Sequence, residues 1–281
     1  MQYLKSPLNY VGGKYRLLPQ IIAHFPEKIN TFVDLFSGGC NVGINVWANQ
    51  IIFNDVNDRI NDIFRYLKVH DAVESLQTIK QIINCYHLSK TNGAGFRRLR
   101  KAYNQHPQPM LLYTLVAYSY NNQFHFNQQL QYNNPFGRNR SHFSKNMAER
   151  LASFTERLHQ LNTTFMDLPF EQVNLSHLTS DDLVYCDPPY LITTGSYNDG
   201  QRGFGGWTAN DDLRLLMLLD RLEQQGVRFA LSNVLKHKGM TNNNLINWSQ
   251  KYQVHHLNYG YQNASYNTVR QRSDEVLITN Y

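Results

Sequence analysis

Cysteine is scarce: the 281 residues hold three, Cys40, Cys85 and Cys186, set far apart and without CxxC spacing. This excludes a disulfide framework and a cysteine-based zinc site, and it fits a reduced, cytoplasmic chain. No apolar run approaches the roughly 20 residues that cross a bilayer. The opening MQYLKSPLNY lacks the apolar segment of a signal peptide. There is no internal repeat and no low-complexity tract. Acidic residues are also in the minority, 21 against 27 basic, for a formal net charge of +6. Such a surplus favours a polyanionic partner, although a modestly basic enzyme with a small substrate satisfies it too. What is plentiful is apolar and aromatic, 42% and 13% of residues, which excludes a disordered chain. One or two domains with a substantial core are expected.

The pattern along the chain is that of an interrupted α/β protein. YRLLPQIIAHF has helical spacing and TFVDLF reads as a short buried strand. GCNVGINVWANQ is expected to begin a helix after its glycines, and IIFND is a second strand. Strand, glycine turn, helix and strand imply a parallel sheet. From about Asn57 to Glu149 the character changes. IFRYLKVHDAVESLQTIKQII and GFRRLRKAYNQH read as amphipathic helices, and NNQFHFNQQLQYNNPFGRNR as a hairpin or long loop. TTFMDL and LVYCD then restore the strand pattern. TANDDLRLLMLLDRLEQQG predicts a helix started by a capping box, Thr208 with Asp211, and stopped at Gly226. VRFALSNV, YQVHHLNYGY and DEVLITNY close the sheet. The expected fold is α/β, a Rossmann-like sheet formed by 1–56 and 150–281, with a helical insert at 57–149 that contains a β-hairpin.

Three stretches carry chemistry. In DLFSGGCNVG, residues 34–43, glycines at a strand-to-helix turn let the backbone approach a ligand at the carboxyl edge of the sheet. Asp55, ending the next strand, is placed to accept both hydroxyls of a ribose. Asp34, Gly38, Gly39 and Asp55 therefore suit a nucleoside without phosphates, though the same glycines fit an ordinary βαβ turn. NYVGGK, residues 9–14, brings Tyr10 and Lys14 to one turn, as many surface turns do. In CDPPY the prolines fix the backbone after a strand and present Asp187 and Tyr190 rigidly. A carboxylate and the Pro188 carbonyl accepting the two N–H bonds of a conjugated amine would release its lone pair for attack. Tyr190 would stack on the base, an interaction worth about 1–3 kcal/mol. Alone, DPPY is equally a stiff strand-end turn.

Taken in order, NYVGGK, DLFSGG, ND and DPPY resemble the Dam family of DNA adenine-N6 methyltransferases, α group and D12 class, closest to its short phage-type members. The resemblance covers nearly the whole chain, extending to PFGR (135–138), SNV (232–234) and DEVLI. It implies S-adenosylmethionine as methyl donor, with no metal. Tyr10, Lys14, Asp34, Phe36, Gly38, Gly39, Asp55, Phe170 and Asp187 would contact that cofactor. Asp187, Pro188, Pro189 and Tyr190 would surround an adenine flipped out of the duplex. The insert would read double-stranded DNA through Tyr120, Asn121, His125, Asn127, Pro135 and Arg138. Tyr120 would fill the vacated stack, and Arg138 would pair with a guanine of GATC. Arg97, Arg98, Arg100 and Lys101 would add phosphate contacts, although helical spacing leaves some on a merely solvated face. Phe124, Phe126 and Phe136 are expected to pack the hairpin onto its helices.

Two departures bear on specificity. His125 stands where Dam enzymes carry an arginine, and Asn9 replaces a lysine, which leaves the strictness of GATC reading open. The expected protein is an adenine-specific DNA methyltransferase, monomeric in solution, from a restriction–modification system or a phage. The competing readings are an amino methyltransferase for cytosine N4, RNA or protein glutamine, and a non-catalytic DNA-binding relative.

Overall fold

The computed structural model describes residues 3–10, 12–193, 206–258 and 273–281. The end of the DPPY stretch from Thr194, the end of YQVHHLNYGY and Val11 lie outside the described residues. Eight strands form one sheet: β1 (Thr31–Asp34), β2 (Gln50–Asn54), β3 (Thr163–Met166), β4 (Leu183–Cys186), β5 (Arg228–His237), β6 (Met240–Thr241), β7 (Gln253–Leu257) and β8 (Asp274–Thr279). The order is β3-β2-β1-β4-β5-β8-β7, with the short β6 paired to β5. The first five strands run parallel, and β8 lies antiparallel between β5 and β7. β1 and β4 are buried along their whole length, which explains their continuous apolar sequences.

Helices cover both faces: α1 (Leu18–Ala23), α2 (Asp58–Val69), α3 (Ala72–Cys85), α4 (Gly93–Gln105), α5 (Pro109–Tyr118), α6 (Lys145–Gln160), α7 (Ala209–Gln225) and α8 (Asn243–Ser249). On one face α7 sets Leu215, Leu219 and Leu222 against Val184 and Phe229. Its capping box forms as the sequence implies, and Gly226 ends it in the left-handed region (φ 77°). On the other face α2 to α6 lie between β2 and β3 in sequence and share a core with the sheet. Phe64 of α2 meets Phe154 of α6 at 5.3 Å and Phe165 of β3 at 6.1 Å. Residue 150 falls within α6, so this helix runs from the insert into the sheet half.

Two expectations need correction. The helix expected from GCNVGINVWANQ is only a 3-10 turn, Gly43–Asn45. Asn45 spends its amide on the carbonyls of Leu4 and Asn41, and Val46 returns to extended backbone, so no helix propagates. The long helix from Ile63 is divided at His70, because the Asp71 carboxylate accepts from Glu74 N (2.8 Å) and starts α3 afresh. The apolar run LLYTLVAYSY folds mostly as α5, buried on nearly every side, so it shows no amphipathic period.

Candidate active site and nucleic-acid interface

The carboxyl ends of β1, β2 and β4 open onto one cavity of about 220 Å³. Tyr10, Lys14, Asp34, Phe36, Gly38, Gly39, Asp55, Phe170, Asp187 and Pro189 all border it, so nearly every proposed cofactor and catalytic residue converges there. The turn after β1 is tight. Gly38 has φ 46°, and a Cβ there would lie 2.9 Å from the Tyr10 ring. Asp55 braces this turn from the neighbouring strand: its carboxylate accepts from Gly38 N (2.8 Å) and Asn57 N (2.9 Å). Asp34, 2% exposed, accepts from Gly43 N (3.1 Å). Burial pushes its carboxyl up to about 8; the Gly43 bond opposes this, and the charges of Asp187 and Asp55 add to it.

At the other end the strand-end acid meets a buried cation. Lys14 Nζ lies 2.8 Å from Asp187 Oδ1, with side-chain exposures of 5% and 19%. The same oxygen accepts the Tyr190 hydroxyl at 3.0 Å. Lys14 also donates to the Gly12 carbonyl (3.0 Å) and sits 4.8 Å from the centre of the Tyr190 ring. Burial raises the Asp187 carboxyl, while the Lys14 charge and the bonds from Lys14 and Tyr190 pull it back. One Asp187 oxygen is thus engaged by Lys14 and Tyr190, and Oδ2 keeps its acceptor capacity. Pro188 and Tyr190 do not line the cavity; Tyr190 joins it through Asp187.

The insert ends in an irregular hairpin closed by two isolated bridges, Ser119↔Phe136 and Phe126↔Tyr132. Its inner aromatics pack as expected: Phe136 on Phe96 (5.2 Å), Phe126 edge-on to Tyr132 (5.5 Å), and Phe124 against the core. Tyr120 projects at 43% exposure, with the Arg140 guanidinium 5.5 Å from its ring centre. Asn121, Pro135 and Arg138 are exposed. His125 Nδ1 is hydrogen-bonded across the hairpin to Asn133 Oδ1. Asn127 turns its oxygen inward to accept from Gln129 N (3.0 Å) and Gln131 N (2.9 Å), so it shapes the loop tip. On α4, Arg97, Arg98 and Lys101 are exposed, whereas Arg100 is half-buried over Phe96 and reaches the Asn134 carbonyl (3.5 Å).

A glycine turn after β1, an exposed hairpin and a DPPY acid after β4 follow one another in the order of a known family. The family model for D12 class N6 adenine-specific DNA methyltransferases matches residues 10–263. The chain belongs to that family. Among its relatives, the modification methylase StsI of Streptococcus sanguinis is 54% identical over 282 residues, 100% of this chain and 43% of that protein. The type II methyltransferase M.FokI of Planomicrobium okeanokoites is 54% identical over 279 residues, covering 99% and 43% respectively. The DNA adenine methylase of Escherichia coli (strain K12) is 24% identical over 282 residues, covering 99% of this chain and 95% of that protein. The chain therefore spans under half the length of its two 54%-identical relatives.

As a D12 methyltransferase, the chain has the mixed, mostly parallel sheet of the class I S-adenosylmethionine-dependent fold. The residues lining its cavity suit that cofactor. Asp55 borders the cavity with a carboxylate, the acceptor type that ribose hydroxyls require. Phe36, Phe170 and Trp207 form an aromatic wall, with ring centres 5.5 to 5.8 Å apart. No sequence motif singles out Trp207. Its only signal there is its place directly before the Thr208 cap, which swings it over the cavity while its indole N–H donates to Asp212 (3.1 Å). The rim ion pair Arg214–Glu171 (3.1 Å) had no sequence signal, because its partners come from α7 and a remote turn.

Proposed function

We propose that this chain methylates N6 of an adenine flipped out of duplex DNA, with S-adenosylmethionine as donor. The observation that carries this reading is the Lys14–Asp187–Tyr190 cluster at a cavity lined by Asp55 and aromatic rings, in a chain of an adenine-methylating family. When bound, S-adenosylmethionine supplies an electrophilic methyl group on a sulfonium. Asp55 and the aromatic wall would hold its nucleoside, and the Tyr10–Gly38 turn would border the rest. Asp187 Oδ2 accepts one N–H of the adenine amine and the Pro188 carbonyl accepts the other. The amine is thereby drawn toward tetrahedral geometry and its lone pair freed. Lys14 fixes Asp187 through Oδ1, and the base stacks on the face of Tyr190 opposite the ammonium.

The insert supports duplex DNA as the substrate. Between Glu74 and Glu149 there is no acidic residue, while Lys80, Lys90, Arg97, Arg98, Arg100, Lys101, Arg138, Arg140 and Lys145 all fall there. These nine cations leave the rest of the chain slightly acidic, 18 basic against 21 acidic residues. The insert at 57–149 is therefore proposed as the target-recognition unit, with Tyr120 entering the stack and Arg138 reading a guanine. GATC is the family-derived target. The committed orientation of His125, and relatives that are named modification methylases, favour a different flanking base and a restriction–modification role.

Label transfer from S-adenosylmethionine onto unmethylated duplexes tests the reading. The panel holds GATC, its single-base variants, GATC already methylated on N6, single-stranded RNA and a cytosine-only target. Transfer to adenine in one duplex sequence, absent from the pre-methylated one, is expected. If no duplex is labelled the function fails, and if every variant is labelled alike only the specificity fails. Asp187→Ala should lower turnover at least about a hundredfold with cofactor binding retained.

A further inference from the structure

We propose that Asn9 is a positioning residue for base flipping, tying the tip that enters the DNA to the loop that holds the catalytic acid. The inference rests on the adenine-flipping function proposed above. The tip is conformationally costly: Asn121 (φ 55°, ψ 15°) and Asn122 (φ 52°) are consecutive left-handed residues directly after the exposed Tyr120. Such a segment keeps its shape only where its surroundings over-determine it. Tyr120 N donates to the Pro135 carbonyl (2.8 Å). Asn134 donates to the carbonyls of Tyr120 (3.0 Å) and Gln123 (2.8 Å), and Asn122 donates to Ala117 (2.8 Å). All of these bonds stay within the insert.

The Asn121 carbonyl is held from elsewhere. Asn9 Nδ2 donates to it at 3.0 Å, across 112 residues of sequence. Asn9 immediately precedes Tyr10, which packs on the Gly38 turn, and the same loop continues to Lys14, which bonds Asp187. Beside the apolar core that the insert shares with the sheet, this side chain is a direct polar tie between the tip that carries Tyr120 and the loop leading to the acceptor of the displaced base. Removing the bond loosens the wedge from that loop without removing any group that meets the cofactor. A solvent-exposed hydrogen bond of this kind is worth about 1 kcal/mol, or about fivefold in the flipped population.

The test places 2-aminopurine at the target adenine of the duplex that the wild type labels best. Its fluorescence reports unstacking in the presence of S-adenosylhomocysteine, and kcat is measured alongside. Asn9→Ala and the isosteric Asn9→Asp, which lacks a donor, should each lower the fluorescence gain and kcat about fivefold, with duplex and cofactor Kd and the thermal midpoint held within about twofold and about 2 °C. Asn9→Gln, which keeps a donor, should recover part of both signals. Equal flipping and turnover in wild type and Asn9→Asp would overturn the role of Asn9 while the methyltransferase function stands. So would a fall in duplex affinity with flipping unchanged, which makes Asn9 a direct DNA contact. If the wild type labels no duplex, both the function and this inference fall.

Discussion

Lys14 is buried, and its ammonium meets the Asp187 carboxylate, the Gly12 carbonyl and the Tyr190 ring. Replacing it with methionine leaves Asp187 partly buried without its counter-ion, and burial alone then raises that carboxyl further. Lys14→Met is therefore expected to move the acid limb of the kcat–pH profile to higher pH and to lower kcat more than cofactor affinity. An unmoved limb would show that Lys14 does not act through Asp187. Asp34 gives a stability readout instead. Its folded-state carboxyl, raised to about 8, binds a proton more tightly than it does in the unfolded chain. The stability it contributes is full below the unfolded value, near 4, and is lost as pH rises through about 8. Asparagine keeps an acceptor for Gly43 N without ionising. Between about pH 4 and 8 the wild type should lose denaturant stability relative to Asp34→Asn, levelling off above, and parallel curves would refute this account.

Among the elements, the hairpin is the one most dependent on side chains for its shape. A Cβ at Gly137 would run into Ser141 Oγ and lie 2.6 Å from Ser141 Cβ and 2.9 Å from the Ser119 carbonyl. The hydroxyl can rotate away, but the Ser141 Cβ and the carbonyl cannot without moving backbone, and Ser119 is bridged to Phe136. Gly137→Ala should therefore displace the adjacent Arg138, lowering stability by about 1–3 kcal/mol and weakening sequence-specific more than non-specific duplex binding. Thermal melts and binding to matched and scrambled duplexes check both. This element also marks where the sequence became hard to read. The short buried runs of β1 and β4 and the helical period of α7 foretell them, because burial on both sheet faces or on one helix face writes itself into residue order. The hairpin has no such period. Its backbone is held by Asn104, Asn127 and Asn134 side chains reaching carbonyls and amides up to 28 residues away, so neighbours in sequence are silent about it. The GCNVGINVWANQ segment failed for the same reason, with Asn45 satisfying Leu4 in place of a helical turn. DPPY, the glycine turn and Asp55 were legible because each needs a fixed residue at a strand end. Trp207 was not, since only the fold brings it to Phe36.

For the whole molecule, the acid-free stretch between Glu74 and Glu149 would set how the proposed duplex binding responds to salt. Its cations are not equivalent. Arg98 is 3.3 Å from the Tyr86 carbonyl and Arg100 is 3.5 Å from that of Asn134, so these two brace the insert. Lys90, Arg97, Arg138 and Arg140 instead collect near one end of the insert. The Lys90 carbonyl accepts Asn139 N (2.7 Å), and Arg97 and Phe136 both border Gly93. Counter-ion release makes log Kobs fall with log salt by about 0.9 for each phosphate neutralised. Three or four of these contacts would give a slope of about −3 to −4 on a duplex lacking the target. Arg140→Ala and Arg97→Ala should each shallow the slope by about one while leaving the melting temperature unchanged. Arg100→Ala should do the reverse, keeping the slope and lowering the melt, because it removes the cation over Phe96 and the tie to the hairpin. If all three variants shift the slope alike, charge acts here as a diffuse field, and the division between reading and bracing cations is wrong.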